Sequence, residues 1–202
     1  MSVPPPLPYI AINLDARGDR WAQIVCAFPN RAIERFSAIE MEDGEEACKQ
    51  SHFAVIAIAK ERNYPWVAIL EDDCMPYPHF DTDLDTRILP YLWTHRTDWD
   101  IYNGGPGNAG SIRRGEHGFA HITEWISTHF IIINSSMYDT ILNTYDITKC
   151  PKKIDAYYAT FKTLTSYPLI AYQEPMYSDL AKSYQDNMEN FSRMNAKLRM
   201  FS

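Results

Sequence analysis

The chain has 202 residues and a formal net charge of −7 at pH 7, with 46% hydrophobic and 22% charged residues. This composition is typical of a globular protein with a substantial core, so it excludes a disordered or low-complexity chain. The negative charge argues against a nucleic-acid partner, whose phosphates need a basic surface, although a metal and a few local cations can hold one nucleotide.

The length predicts one domain over residues 1–202, with a flexible proline-rich lead at residues 1–8. The lead lacks the basic and apolar regions of a signal peptide, and no apolar run approaches the roughly 20 residues of a transmembrane segment. The four cysteines are widely spaced and form no CxxC pair: Cys26, Cys48, Cys74 and Cys150. This spacing predicts reduced thiols in a soluble, cytoplasmic protein.

The first half of the chain alternates short apolar runs with helical patterns. Strands are predicted at residues 9–14, 32–39 and 66–70, with Phe36 and Ile39 of the second strand facing inward. Helices are predicted at residues 21–28, which Pro29 ends, and at residues 45–62, which the segment Asn63-Tyr64-Pro65 ends.

The second half continues this alternation. Helices are predicted at residues 80–93, 136–145, 154–164 and 180–201, and strands at residues 99–102, 130–133 and 169–172. The alternation over the whole length predicts an α/β fold with a largely parallel sheet. Arg193, Lys197 and Arg199 on the last helix would allow a peripheral membrane contact.

Six of the eight glycines fall within residues 104–118. Glycine-rich segments have unusual backbone freedom, so we interpret this one as a mobile loop that closes over a ligand and excludes water. A solvated surface loop is the alternative.

The strongest functional signal is the segment from Val67 to Cys74. Its apolar start predicts a strand buried on both faces, and Glu71, Asp72 and Asp73 follow where open α/β sheets bind ligands. Side chains alternate along a strand, so Glu71 and Asp73 are expected to point one way and Asp72 the other. Clustered carboxylates suit Mn²⁺ or Mg²⁺, which bridge to phosphate oxygens, but a solvated acidic turn stays open as an alternative.

Six segments in order carry a resemblance to a known family: Asn13-Leu14-Asp15 with Arg17 and Arg20, residues 47–52, 69–73, 99–102 and 154–157, and Gln173 through Ser178-Asp179-Leu180. Together they resemble glycosyltransferase family 25, the lipopolysaccharide-type galactosyltransferases with their collagen-modifying and viral relatives. The resemblance implies a single-domain GT-A fold, which is Rossmann-like with an open, mostly parallel sheet flanked by helices. Ala47 and Asn103 depart from the family, which usually has glycine and leucine there.

The resemblance also implies roles for individual residues. Asp73 and Glu71 would hold Mn²⁺ or Mg²⁺, and Asp72 would contact the donor. Asp155 would be the general base that takes the proton of an acceptor hydroxyl, with a helix N-cap as the alternative role. The other expected donor contacts are Asn13, Asp15, Arg17, Arg20, Ser51, His52, Gly104 and Gly105.

Some of these donor contacts also have a physical basis in the residues themselves. Asn13 and Asp15 can bond a base and ribose, and Arg17 can bind phosphate, although an ordinary charged loop would look the same. Ser51 and His52 are expected on the first turns of a helix, where free N–H groups favour an anion; packing or capping is the alternative.

We therefore predict an inverting, metal-dependent glycosyltransferase that moves a hexose or a deoxyhexose from a UDP-sugar to a carbohydrate hydroxyl. The alternatives are a metal-dependent nucleotidyltransferase, a sugar-nucleotide hydrolase, or a nucleotide- or carbohydrate-binding module without turnover. A nucleotidyltransferase would normally show a phosphate loop rich in glycine and lysine early in the chain, and this sequence has none. Compact relatives occur in bacteria and large viruses; a viral protein of this kind would work in the host cytoplasm.

Overall fold

The computed structural model describes residues 3–143, 153–179 and 182–201. The strands in these ranges are β1 Tyr9–Asn13, β2 Ile33–Ser37, β3 Trp66–Glu71, β4 Cys74–Pro76, β5 Ile101–Asn103, β6 Ser111–Arg114, β7 Phe119–Thr123, β8 Phe130–Asn134, β9 Thr163–Ser166, β10 Ala171–Gln173, β11 Met176–Ser178 and β12 Ser183–Gln185. The α-helices are α1 Gly18–Ala27, α2 Gly44–Glu61, α3 Phe80–Asp83, α4 Leu89–Thr94, α5 Tyr138–Asn143, α6 Ile154–Tyr158 and α7 Met188–Arg199. A π-helical turn, Leu84–Ile88, joins α3 to α4, and a 3-10 turn, Ser135–Met137, precedes α5.

Eight strands form one sheet in the order β2-β1-β3-β8-β5-β9-β7-β6. β1 pairs in parallel with β2 and β3, and β5 pairs in parallel with β9. The other ladders of this sheet are antiparallel, so β7 and β8 run against the remaining strands. The expected α/β class is confirmed, with a mixed sheet in which most strands share one direction.

The sheet separates two apolar layers because side chains alternate along each strand. Val67 and Ile69 of β3 pack into the layer that contains α2, α5, α6 and α7. Ala68 and Leu70 pack into the opposite layer, with α1, α3 and α4. Glu71 at the end of β3 and the two aspartates that follow it continue this alternation. The backbone therefore directs neighbouring carboxylates to different sides of the sheet.

The structure differs from the sequence prediction in the last third of the chain. The predicted helix at residues 154–164 ends at Tyr158, and Thr163–Ser166 form β9 between β5 and β7. β-branched residues and pairing with two neighbours favour the strand there. The predicted helix at residues 180–201 begins at Met188, after the β11–β12 hairpin, while residues 144, 145 and 180 lie outside the described residues.

The interpretation of residues 104–118 as one mobile loop that closes over a ligand does not fit the structure. Residues 104–107 are buried, and Ser111–Arg114 form β6, which pairs with β7. The described part of the proline-rich lead also has fixed partners, which does not fit a flexible lead. Leu7 is buried, and the Pro8 carbonyl accepts a hydrogen bond of 2.9 Å from the Ala68 N–H.

Two smaller points complete the fold. Ile39, expected to face inward, is exposed, because β2 already ends at Ser37. None of the helices in residues 3–143, 153–179 and 182–201 is long and apolar enough to cross a membrane.

Candidate active site

Glu71, the last residue of β3, lies on the α2 side of the sheet. Its Oε1 accepts a hydrogen bond of 2.5 Å from Thr128 Oγ1 and lies 3.5 Å from His52 Nε2. Burial acts to raise the pKa of this carboxyl, but His52 and the Thr128 hydrogen bond outweigh it and hold the pKa below its usual range. Glu71 is therefore a charged carboxylate held between two elements.

Asp72 lies on the α1 side, as the alternation predicts. Its Oδ2 accepts a hydrogen bond of 2.7 Å from Asn13 Nδ2, and its Oδ1 accepts one of 3.1 Å from Arg20 Nη1. Both carboxylate oxygens of Asp72 thus accept hydrogen bonds, which tie the residue after β3 to β1 and α1. In this arrangement Asn13 and Asp72, expected to contact a donor, serve as buried structural groups.

Asp73 has the most unfavourable surroundings of the three carboxylates. One oxygen accepts a hydrogen bond of 3.2 Å from Gln173 Nε2, whereas the buried Oδ1 has no hydrogen-bond partner among the residues that the structure describes. Burial raises the pKa of this carboxyl well above its usual range, and the negative charges of Glu71 and Asp72 raise it further.

Glu71 and Asp73 fit a hard divalent cation. Carboxylate oxygens are the ligands that Mn²⁺ and Mg²⁺ prefer. A bound cation would provide a positive charge next to the Asp73 carboxylate and so favour its ionised form. The orphaned Oδ1 of Asp73 is the observation that supports this fit.

A cavity of about 730 Å³ lies beside Glu71. Its wall includes Thr128, two residues before β8, and Asp155 on the first turn of α6. Cavities that bind small ligands commonly measure ~300–1,000 Å³. The structure therefore brings together two of the predicted catalytic and metal residues, Glu71 and Asp155, on one concave surface.

Asp155 is half-buried in this wall. Its Oδ1 accepts a hydrogen bond of 2.7 Å from the Ala156 N–H. Burial raises the pKa of the carboxyl, while backbone N–H groups of Ala156 and Ser127 act in the opposite direction. The N-cap of α6 is Lys153, so the alternative role of Asp155 as an N-cap does not apply.

The charged residues after β1 lie away from this cavity wall. Asp15 is exposed and accepts a hydrogen bond of 2.8 Å from Ser37 Oγ. Arg17 Nη1 and Arg20 Nη2 converge on Asp179 Oδ2, at 2.6 and 3.3 Å. Asp179 follows β11, so a carboxylate from the C-terminal part of the chain occupies the two guanidinium groups that were expected to bind a donor.

Ser51 and His52 do not lie at a helix start. α2 begins at Gly44, after an Asp43 cap that accepts from the N–H groups of Glu45 and Glu46, so both residues are inside the helix. Ser51 Oγ donates to the Ala47 carbonyl at 2.8 Å and accepts from the backbone N–H of Ile39 at 2.9 Å. The free N–H groups expected at these positions are absent, since a helix leaves only its first turn unpaired.

Gly104 and Gly105 are required by packing. A Cβ on Gly104 would lie 2.6 Å from Phe130 Cδ1, and one on Gly105 would collide with the carbonyl of Ala171. Asn103, the departure from the family pattern, accepts a hydrogen bond of 2.9 Å from the Gly105 N–H and donates one of 2.9 Å to the Ser127 carbonyl. It thereby positions a residue of the cavity wall.

The sequence analysis missed several wall residues: Ser127, Thr128, Lys153, Gln185 and Asn187. It also missed His129, whose carbonyl accepts a hydrogen bond of 3.1 Å from the Glu71 N–H. Only the antiparallel pairing of β3 with β8 places Thr128 and His129 opposite the acidic segment. That pairing has no short-range signal in the sequence.

Residues 10–96, less than half of the chain, match the model of glycosyltransferase family 25 (LPS biosynthesis protein). The matched segment contains the acidic residues after β3 but not Asp155. No curated protein matches the sequence.

Two solved structures have a similar fold. A197 from STIV is 11% identical, with 83% of this chain and 85% of that chain covered and a TM-score of 0.52. A glycosyltransferase involved in the glycosylation of the major capsid of PBCV-1 is also 11% identical, with 95% of this chain and 100% of that chain covered and a TM-score of 0.50. The resemblance to family 25 and the GT-A-like fold are thereby confirmed.

Proposed function

We propose that the chain is a glycosyltransferase that transfers a hexose or a deoxyhexose from a UDP-sugar to a carbohydrate hydroxyl. The match of residues 10–96 to the family 25 model and the similar fold support this proposal. The transfer depends on Mn²⁺ or Mg²⁺ and inverts the anomeric centre. The observation that carries this proposal is that Glu71 and Asp155 share the wall of one cavity beside the end of β3.

Asp155 is the proposed base. A carboxylate with a raised pKa binds a proton more readily than an ordinary aspartate, so it can take the proton of the acceptor hydroxyl as that oxygen attacks the anomeric carbon. As the new bond forms, the bond between the anomeric carbon and the diphosphate oxygen breaks, and the nucleoside diphosphate leaves with that electron pair. One base and one displacement invert the configuration, and this stereochemistry follows from the proposed role of Asp155.

Glu71 and Asp73 are the proposed metal ligands. A bound Mn²⁺ or Mg²⁺ would act as a Lewis acid towards the negative charge of the leaving diphosphate. Thr128 holds Glu71 in place through its hydrogen bond, and Gln173 does the same for Asp73.

Arg17 and Arg20 are the proposed partners of the donor phosphates. Guanidinium groups bind phosphate through paired N–H donors. Both groups now hold Asp179, so donor binding would require this carboxylate to give way to the diphosphate.

A thermal-shift panel of nucleotides and nucleotide-sugars, each with and without Mn²⁺, tests the donor assignment. A ligand present at a hundred times its Kd stabilises the folded state by about 2.7 kcal/mol. We expect UDP-sugars with Mn²⁺ to raise the Tm most. Asp73→Asn should lose the Mn²⁺-dependent part of the shift, while Asp81→Asn, which removes a partly buried ion pair with Arg31 away from the cavity, should keep it.

A thermal shift that is equal for all nucleotides, or that Asp73→Asn leaves intact, would contradict the proposal.

Product analysis separates the remaining candidate reactions. A glycosyltransferase releases UDP in an acceptor-dependent way, a hydrolase releases products without acceptor, and a nucleotidyltransferase releases or consumes pyrophosphate. A binding module releases nothing.

A further inference from the structure

A second group of potential metal ligands lies beside the cavity, whose wall includes two of its three members. Cys48 and His52 are four residues apart on α2, which places them on the same face of the helix, and Glu71 faces them from the end of β3. One ligand atom from each residue, the thiol sulfur, a ring nitrogen and a carboxylate oxygen, lies within 4.8 Å of the other two.

His52 is the member of this group that calls for a ligand. Its side chain is completely buried, and neither ring nitrogen has a hydrogen-bond partner in the part of the chain that the structure describes. Buried polar groups without partners are rare because each costs free energy. The Tyr158 ring packs edge-to-face with the imidazole, with 5.7 Å between the ring centroids. This contact fixes the orientation of the imidazole but gives its ring nitrogens no hydrogen bond.

The spacing to Glu71 suits a shared ion better than a hydrogen bond. His52 Nε2 and Glu71 Oε1 are 3.5 Å apart, which is long for a hydrogen bond. Nitrogen and oxygen ligands at ~2.0–2.1 Å from a tetrahedral ion stand about 3.3 Å from each other. A small ion would therefore fit between the two side chains with only a slight movement.

The electrostatic surroundings also favour a cation. Burial raises the pKa of the Cys48 thiol well above its usual range, and the nearby negative charges of Glu71, Asp155, Asp73 and Glu45 raise it further. Lys153 is the cationic residue among those that line the cavity. A divalent ion would offset the excess of negative charge. Thiolate and imidazole ligands bind softer metals in preference to Mg²⁺.

We propose that Cys48, His52 and Glu71 form a binding site for a thiophilic divalent ion of the Zn²⁺ class. This site uses a different ligand set from the hard-metal position of Glu71 and Asp73, with Glu71 common to both. Binding releases the thiol proton to solvent, because the thiolate is the ligand. Three protein ligands leave one coordination position, and since Cys48 and Glu71 both line the cavity, that position opens towards it.

Metal titration of the reduced full-length chain tests this site without requiring turnover, so its outcome is independent of the proposed transfer reaction. Co²⁺ is added first as a spectroscopic probe, since a thiolate ligand gives a sulfur-to-cobalt charge-transfer absorption, and Zn²⁺ is then added to displace it. We expect one equivalent of Co²⁺ to produce this absorption and one equivalent of Zn²⁺ to remove it.

Three variants complete the test. Cys48→Ser should abolish the charge-transfer absorption, and Glu71→Gln should weaken Zn²⁺ binding by ~10-fold or more, which is the size of effect that loss of even an outer partner of a metal site produces. Cys26→Ser, which changes an exposed cysteine outside the cavity, should bind as the parent chain does. The Tm of each variant without metal shows whether it is folded, and Glu71→Gln provides the test if Cys48→Ser is not.

The proposal is overturned if the parent chain shows no charge-transfer absorption, or if Cys48→Ser retains it. Loss of the absorption in Cys26→Ser would also overturn it, because the thiolate would then lie elsewhere. Zn²⁺ binding that Glu71→Gln leaves unchanged would remove the third ligand and reject the three-residue site.

Discussion

Asp155 has to be negatively charged to accept a proton, yet it lies where burial makes that charge costly. Burial moves the pKa of this carboxyl towards neutral pH, and a base whose pKa lies near the working pH accepts a proton from a hydroxyl more efficiently. The same shift means that the base is lost by protonation at a higher pH than an ordinary aspartate would be. As the proposed base, Asp155 would set both the rate of transfer and the lower pH limit of activity.

Replacing this carboxylate tests the role directly. Asp155→Asn should lower the rate of transfer by ~10²–10⁴-fold, the usual contribution of a positioned base, while nucleotide-dependent thermal shifts stay the same. In the parent chain, the rate should rise with pH through a value above ~3.9, the reference pKa of aspartate. Asp139→Asn, which removes an exposed partner of Lys60, is the matched control, and an unchanged rate in Asp155→Asn would eliminate Asp155 as the base.

His129 predicts how the fold responds to acid. Burial lowers the pKa of its imidazole to about 4, with Glu71 acting in the opposite direction, whereas the unfolded chain has a histidine pKa of ~6.5. The neutral, folded form is thus fully favoured above pH ~6.5, and its contribution is lost as the pH falls towards 4. At ~1.4 kcal/mol per pKa unit, the loss amounts to about 3 kcal/mol.

Urea unfolding at several pH values between 7 and 4 measures this loss. His129→Gln should be less stable at pH 7 but should lack most of the pH dependence below 6.5. The same dependence in parent and variant would show that another group is responsible.

Individual side chains could be predicted from the sequence where a short-range rule applied. The period of two along β3 correctly separated Asp72 from Glu71. The interpretation of Ser51 and His52 failed because both residues lie beyond the first turn even of the helix predicted at residues 45–62, which in the structure begins at Gly44. Thr128 could not be predicted at all, since only the distant β3–β8 pairing gives it a role.

At the level of elements, the β11–β12 hairpin has the clearest functional consequence. Arg20 Nη2 donates to the Tyr177 carbonyl of β11, and Asp179 after the same strand pairs with Arg17 and Arg20. The hairpin also supplies Ser178 and Gln185 to the cavity wall. One element therefore links the proposed phosphate-binding arginines to the wall of the cavity.

Asp179→Asn should strengthen donor binding by a few-fold, because it removes the charge that competes with the diphosphate and because partly exposed ion pairs are worth at most about 1 kcal/mol. Calorimetric titration with UDP and Mn²⁺ measures the change. Glu189→Gln, which breaks an exposed pair with Arg193, serves as the control. Unchanged or weaker binding in Asp179→Asn would show that Arg17 and Arg20 do not meet the donor.

The elements themselves were predictable to different degrees. β3 and β8 are apolar runs buried along nearly their whole length, so composition alone indicates them. β9 and β12 have four and three residues and depend on their neighbours, which explains why the helices predicted at residues 154–164 and 180–201 extended into them. Short strands are decided by pairing and burial, not by local preference.

At the level of the whole molecule, both apolar layers share the central strands of one sheet. β3 contributes Val67 and Ile69 to one layer and Ala68 and Leu70 to the other. Loss of either layer would therefore expose the strand that the other layer needs. This coupling supports the prediction of a single domain.

Scanning calorimetry should accordingly show one cooperative transition, with equal calorimetric and van't Hoff enthalpies. Two separable transitions would indicate that the layers, or the two ends of the sheet, unfold independently. The length and composition suggested one domain, but only the sheet order provides this physical reason for it.

The open sheet also has two borders, formed by β2 and β6. Each carries exposed charged side chains, Glu34 and Arg35 on β2 and Arg113 and Arg114 on β6. Charges at such positions discourage a neighbouring molecule from extending the ladder, which is the first event in amyloid-like self-assembly. We therefore expect the arginines of β6 to oppose fibril formation in concentrated solutions, independently of any catalysis.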